Sequence, residues 1–189
     1  MSAEHQAKLL AVDFANLVIR HAANPYGRGS DRAGRPIGGA IGALAQVLRL
    51  LEEERPSHLL IARDSSRQQS FRRQIDPGYK AHRPEADEEI TRNFEAAYRG
   101  VELLGWPALS RPGYEADDLI ASAARSCAGQ GLIVSADKDL LALCAERVKV
   151  LLLRTGKSML VDASGCEQIF GVSPERVCDY KALVGDPSD

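Results

Sequence analysis

The chain has 189 residues, 44% of them hydrophobic, enough to bury one full core and near the upper end for a single compact domain. Its apolar residues come in blocks far shorter than the roughly 20 needed to cross a bilayer, and residues 1–8 lack a basic segment ahead of an apolar stretch, so neither a membrane span nor a secretory leader is expected and the cytoplasm is the expected location. A formal net charge of −2 gives no general attraction for nucleic acid, so any such binding must come from a local concentration of cations.

Residues 8–13 form an apolar run of strand length that stops at Asp13. A Gly/Pro-rich stretch over 24–39 predicts a loop, and apolar residues at helical spacing over 41–51 predict a helix that ends before Pro56. The run 58–62 is again strand-like, and Asp64 follows it. From Arg63 to Arg83 the chain gathers Arg63, Arg67, Arg72, Arg73, Lys80 and Arg83 against only Asp64 and Asp76. The spacing of Ile90, Phe94, Ala97, Val101 and Leu104 predicts an amphipathic helix over 88–104, closed by Gly105. A second helix is predicted over 115–128, then a strand over 132–135 that leads into Asp137 and Asp139. Two further strands are expected at 148–154 and 158–161, around Thr155 and Gly156, and Ser173-Pro174 opens a helix to about Val184. Trp106 reads as core. Cys127, Cys144, Cys166 and Cys178 have neither C-x-x-C pairing nor histidines nearby, which argues against zinc and predicts reduced, partly buried thiols.

Alternating strands and helices with buried strands predict one α/β domain, a mostly parallel central sheet with helices on both faces. Sites in such sheets form beyond the carboxyl ends of the strands, the position shared by Asp13, Asp64, Asp137 and Asp139. Glu115, Asp117 and Asp118 in a helix's opening turn, and Asp186 and Asp189 near the end of the sequence, make the candidate site strongly anionic. Crowded carboxylates repel or take up protons unless cations neutralise them, and hard oxygen ligands favour Mg²⁺ or Mn²⁺ over Zn²⁺. A two-metal site hydrolysing a phosphodiester is therefore expected. Each feature also has an ordinary explanation. First-turn acids suit the helix dipole, aspartates after strands cap or turn, an Arg-rich loop is usually a solvated surface, and the acids near 189 suit a solvated tail. Their agreement in position favours the site, because the basic segment follows the strand that delivers Asp64 and its cations would stand over the carboxylates.

The order of these motifs resembles the 5′ nuclease family, which includes flap endonucleases and the 5′-3′ exonuclease domain of bacterial DNA polymerase I. The most specific part is Pro112-Gly113-Tyr114-Glu115-Ala116-Asp117-Asp118, followed by Ser135-Ala136-Asp137-Lys138-Asp139. Phe71-Arg72, Tyr79-Lys80-Ala81-His82-Arg83-Pro84 and the run from Asp179 to Asp189 extend it over nearly the whole chain. The resemblance implies that Asp13, Asp64, Glu115, Asp117, Asp118, Asp137, Asp139, Asp186 and Asp189 surround two Mg²⁺ or Mn²⁺ ions. It also implies that Lys80 and Arg83 contact the scissile phosphate from the base of a helical arch over about 72–94, with Tyr79, Arg72 and Arg20 binding DNA. The expected partner is DNA with 5′ single-stranded flaps or ends, with RNA in RNA–DNA hybrids a further candidate, and a monomer is expected. Phe14 stands where the family has a small residue. The helix-turn-helix region that follows in the family is not in this sequence, which implies weaker duplex binding. Three other readings remain: a non-catalytic DNA-structure-binding module, a PIN-like ribonuclease, and a regulatory domain binding one Mg²⁺, for which the basic segment has no role.

Overall fold

The computed structural model describes residues 7–24, 29–65, 69–81, 86–154 and 156–185. Strands β1 (Lys8–Asp13), β2 (His58–Ala62), β3 (Ala108–Leu109), β4 (Gln130–Ser135), β5 (Val148–Leu152) and β6 (Met159–Val161) form one sheet in the order β3-β2-β1-β4-β5-β6. Only β6 runs antiparallel, against β5. Helices α1 (Phe14–Ala22), α2 (Gly38–Glu54), α3 (Phe71–Ile75), α4 (Glu88–Leu103), α5 (Ala116–Ser126), α6 (Ala163–Phe170) and α7 (Val177–Val184) complete the domain, with 3-10 turns at Lys138–Leu143 and Pro174–Arg176. This is the expected α/β architecture. Among the described residues no helix is long and apolar enough to cross a membrane.

The two-residue period of the strands sorts the core into two layers. Leu10, Val12, Ile61, Leu132 and Val134 face α1, α2 and α4, while Leu9, Ala11, Leu60, Ala62 and Ile133 face α5 and the 138–143 turn. The same alternation places Asp13 and Ser135, the last residues of β1 and β4, on the α5 side. Register pairs Val12 with Val134, so the next residues on each strand emerge side by side.

Strands β1 and β2 have the bounds their apolar runs predict. Helix α2 begins at Gly38, inside the expected loop, because α4 supplies its missing cap: the Asn93 side chain accepts from the Ala40 N–H at 3.0 Å and donates to the Glu89 carbonyl at 2.9 Å. The segment after Ser173 is a 3-10 turn followed by a separate helix rather than one helix. Trp106 is half-buried and packs against the α1/α2/α4 layer, and Cys144 and Cys166 are buried, but Cys178 is exposed. Within the span expected to form an arch lie α3, a turn over 77–81 and the start of α4. Residues 82–85, including Arg83, fall outside the described residues, as do Asp186 and Asp189.

Candidate active site

At the carboxyl edge of the sheet, Asp13 is 7% exposed and serves both as the end of β1 and as the N-cap of α1. Its Oδ1 accepts from the Asn16 N–H at 3.2 Å and its Oδ2 from the Ser135 hydroxyl at 2.8 Å. Burial pushes the Asp13 carboxyl up to about 6 against the pull of those two hydrogen bonds, and the charges of Asp64 and Asp137 push further in the same direction. Asp117, in the first turn of α5, is pushed up to about 7 by burial and then by Asp13, Asp137 and Asp64. Asp64 reaches from the end of β2 to accept the Ala116 N–H at 2.8 Å, tying that strand to the start of α5. Asp137 caps the 138–143 turn, its Oδ1 accepting from the Asp139 N–H at 2.8 Å. Asp13, Asp64, Asp117 and Asp137 thus form one electrostatic group drawn from three strand ends and one helix start.

The remaining described carboxylates are held by cations. Arg72 grips Asp118 with two hydrogen bonds of 2.8 Å each, and this pairing leads in holding the Asp118 carboxyl below its usual range. Lys80 donates to Glu115 Oε2 at 2.8 Å, and the Tyr79 hydroxyl donates to the same oxygen at 3.2 Å. Asp139 is paired with Lys181 of α7. Among the described residues, no three His, Cys, Asp or Glu side chains are already drawn together closely enough to enclose a metal ion. Lys80 is placed by a tight turn in which Asp76 Oδ1 accepts the Gly78 N–H at 2.8 Å and Lys80 itself takes a left-handed backbone, φ 53°. A cleft of about 980 Å³ opens beside Asp64, Lys80 and Glu115 and runs along the Ile90, Phe94 and Tyr98 face of α4.

The profile of the 5′-3′ exonuclease N-terminal, resolvase-like domain matches residues 8–171. The chain belongs to this family. Over 98% of its length this exonuclease-family chain is 36% identical to DNA polymerase I of Mycobacterium bovis, of which it spans 21%, and 33% identical to the 5′-3′ exonuclease of Halalkalibacterium halodurans, of which it spans 64%. The chain therefore covers about a fifth of the polymerase and less than two thirds of the exonuclease. Its fold matches the T5 D15 protein co-crystallised with metal ions, with a TM-score of 0.76 at 21% identity, covering 96% of this chain and 68% of that one.

Of the residues singled out from the sequence of this exonuclease-family domain, Asp13, Asp64, Asp117 and Asp137 lie near enough for their charges to act on one another. Lys80, Tyr79, Arg72, Glu115 and Asp118 form an adjoining group of ion pairs and hydrogen bonds. Asp139 sits at the rim, half exposed on its side chain. Arg20, on α1, joins neither group, its guanidinium bonded to the Arg154 carbonyl just past β5. Sequence reasoning passed over Ser135, Asn16 and Lys181. Asn16 carried a signal, three residues after a strand-ending aspartate, as did Ser135, two before another. Lys181 carried none beyond its charge, because only the packing of α7 on the 138–143 turn brings it to Asp139.

Proposed function

We propose that this chain is the catalytic part of a metal-dependent 5′ nuclease that hydrolyses phosphodiester bonds at 5′ ends and flaps of DNA in replication and repair. The observation that carries this reading is the convergence of Asp13, Asp64, Asp117 and Asp137 at the carboxyl edge of the sheet, where burial and the neighbouring charges raise the carboxyls of Asp13 and Asp117. An all-oxygen donor set with that much uncompensated charge fits Mg²⁺ or Mn²⁺. Asp13, Asp117 and Asp137 would hold the ions, with Asp64, Glu115, Asp118, Asp139, Asp186 and Asp189 completing the anionic shell. When bound, such a pair supplies an acidified water and positive charge at the leaving oxygen.

The chain's own cations serve the substrate. Lys80 and Arg72, now on Glu115 and Asp118, are within one side chain's reach of the cleft and can turn to a phosphate, joined by Arg83; Tyr79 offers an aromatic face to an unpaired base. Arg20, on α1, would bind backbone phosphate farther along. The cleft beside Lys80 would take the strand to be cut, in this reading from DNA with 5′ flaps or ends, with the RNA strand of a hybrid as a further substrate. A monomer working in the cytoplasm completes this reading.

The test is cleavage of an end-labelled 5′-flap DNA with Mg²⁺, Mn²⁺ or EDTA, alongside Asp137→Ala and a matched RNA flap. Metal-dependent cutting near the flap junction, reduced at least about 100-fold in the variant, is the expected result. Cutting that survives EDTA or the substitution would overturn the metal assignment, binding without cutting would leave a DNA-structure-binding module, and preference for the RNA flap would make it a ribonuclease.

A further inference from the structure

The hydroxyl of Ser135 joins the Asp13 carboxylate to the backbone of Asp137, two of the residues proposed above to bind metal. Ser135 is fully buried at the end of β4, on the face of the sheet that carries Asp13. Its Oγ accepts the Asp137 N–H at 3.0 Å and lies 2.8 Å from Asp13 Oδ2. A hydroxyl has one proton, and a backbone N–H can only donate, so the Ser135 proton must point at Asp13. The contact is therefore directional: Asp137 N–H to Ser135 to Asp13 carboxylate. Asn16 adds a parallel link, its backbone N–H on Asp13 Oδ1 and its side-chain oxygen accepting the Ala136 N–H at 3.2 Å. The ends of β1 and β4 are thus cross-tied by two side chains, and each Asp13 oxygen is left with a lone pair for another ligand.

We infer that Ser135 is a positioning residue for the metal-binding carboxylates, fixing the rotamer of Asp13 and the distance from Asp13 to the Asp137 turn. This inference rests on the nuclease reading, since it concerns the ions that reading requires. The hydroxyl touches no reacting atom. It acts through Asp13, as groups that hydrogen-bond a metal-binding side chain generally do, and losing such a partner typically costs about 10- to 100-fold in metal affinity. A merely structural hydroxyl would instead lower stability and leave affinity unchanged.

The experiment is a titration of the 189-residue chain with Mn²⁺ alone, without DNA, followed by the rise in its thermal unfolding midpoint, for wild type, Ser135→Ala, Ser135→Thr and Ser135→Cys. We expect the half-saturating Mn²⁺ concentration to rise about tenfold or more in Ser135→Ala and to return to within about threefold of wild type in Ser135→Thr, which keeps the hydroxyl and suits a strand. Ser135→Cys, a near-isostere with a weak donor, should fall between them and decides the matter if Ser135→Ala does not fold. A folded Ser135→Ala with a lower midpoint but wild-type half-saturation would overturn the role of Ser135 alone. Absence of any Mn²⁺ response in wild type would overturn both this role and the metal assignment beneath it.

Discussion

Asp117 accepts no hydrogen bond among the described residues, and this sets it apart from its neighbours. Its carboxyl is raised to about 7 and that of Asp13 to about 6, so the folded protein binds more protons than the unfolded chain between about pH 4 and 7. Stability from these two groups is therefore present at low pH and lost as pH rises through the folded values. In EDTA, Asp117→Asn should raise the unfolding midpoint at pH 8 by on the order of 1–3 kcal/mol, roughly 3–10 °C, and change it little at pH 5, where Asp117 is already protonated. An equal gain at both pH values would show that charge repulsion is not the cause. Lys80 makes the opposite kind of contribution, because its ammonium holds Glu115 as a built-in counter-ion. Lys80→Ala should bind Mn²⁺ about 3- to 10-fold more tightly without DNA, yet cut flaps about 100-fold more slowly. Unchanged Mn²⁺ affinity would mean that the ammonium does not compete with cations for Glu115.

At the scale of elements, the junction of α1, α2 and α4 is the part of the fold most dependent on a single polar side chain. Asn93 is 1% exposed and caps α2 from another helix, while a Cβ on Gly39 would come within 2.8 Å of both Ala22 Cβ and Asn93 Oδ1. Asn93→Ala leaves the Ala40 N–H unpaired and should cost about 1–3 kcal/mol in urea unfolding; a loss below about 0.5 kcal/mol would show that water replaces the cap. Such a cap could not be read from sequence, since its partners are 53 residues apart. What was legible were the elements with local signals, the buried runs of β1 and β2 and the apolar stripe of α4. Helix α1 escaped because its start gives no break to read: Asp13 ends β1 and caps the helix without an intervening loop. Strand β3 has two residues and shows no period. For the site, the strand-end aspartates were legible by position, whereas the pairing of Arg72 with Asp118 depends on how α3 lies against α5.

For the whole molecule, the strand order places β1 between β2 and β4, with the site assembled above these three strands and its cations arriving from α3, the following turn and α7. The acidic half of the site is thus attached to the sheet, and the basic half to short segments outside it. That division keeps cations at the site of a chain of net charge −2, each beside a carboxylate that offsets it.

The pairing of β1 with β4 also has a consequence in time. Asp13 and its partner Ser135 are separated by 122 residues, so on a ribosome adding about 5–20 residues per second the central strand waits roughly 6–24 s for its second neighbour. During that interval β1 can pair with β2 and Asp13 can cap α1 through the Asn16 N–H, but one edge of β1 and the second Asp13 oxygen lack their partners on β4. The Ser135 hydroxyl is among the later parts synthesised, so the cross-tie between the ends of β1 and β4 cannot form until most of the domain has emerged.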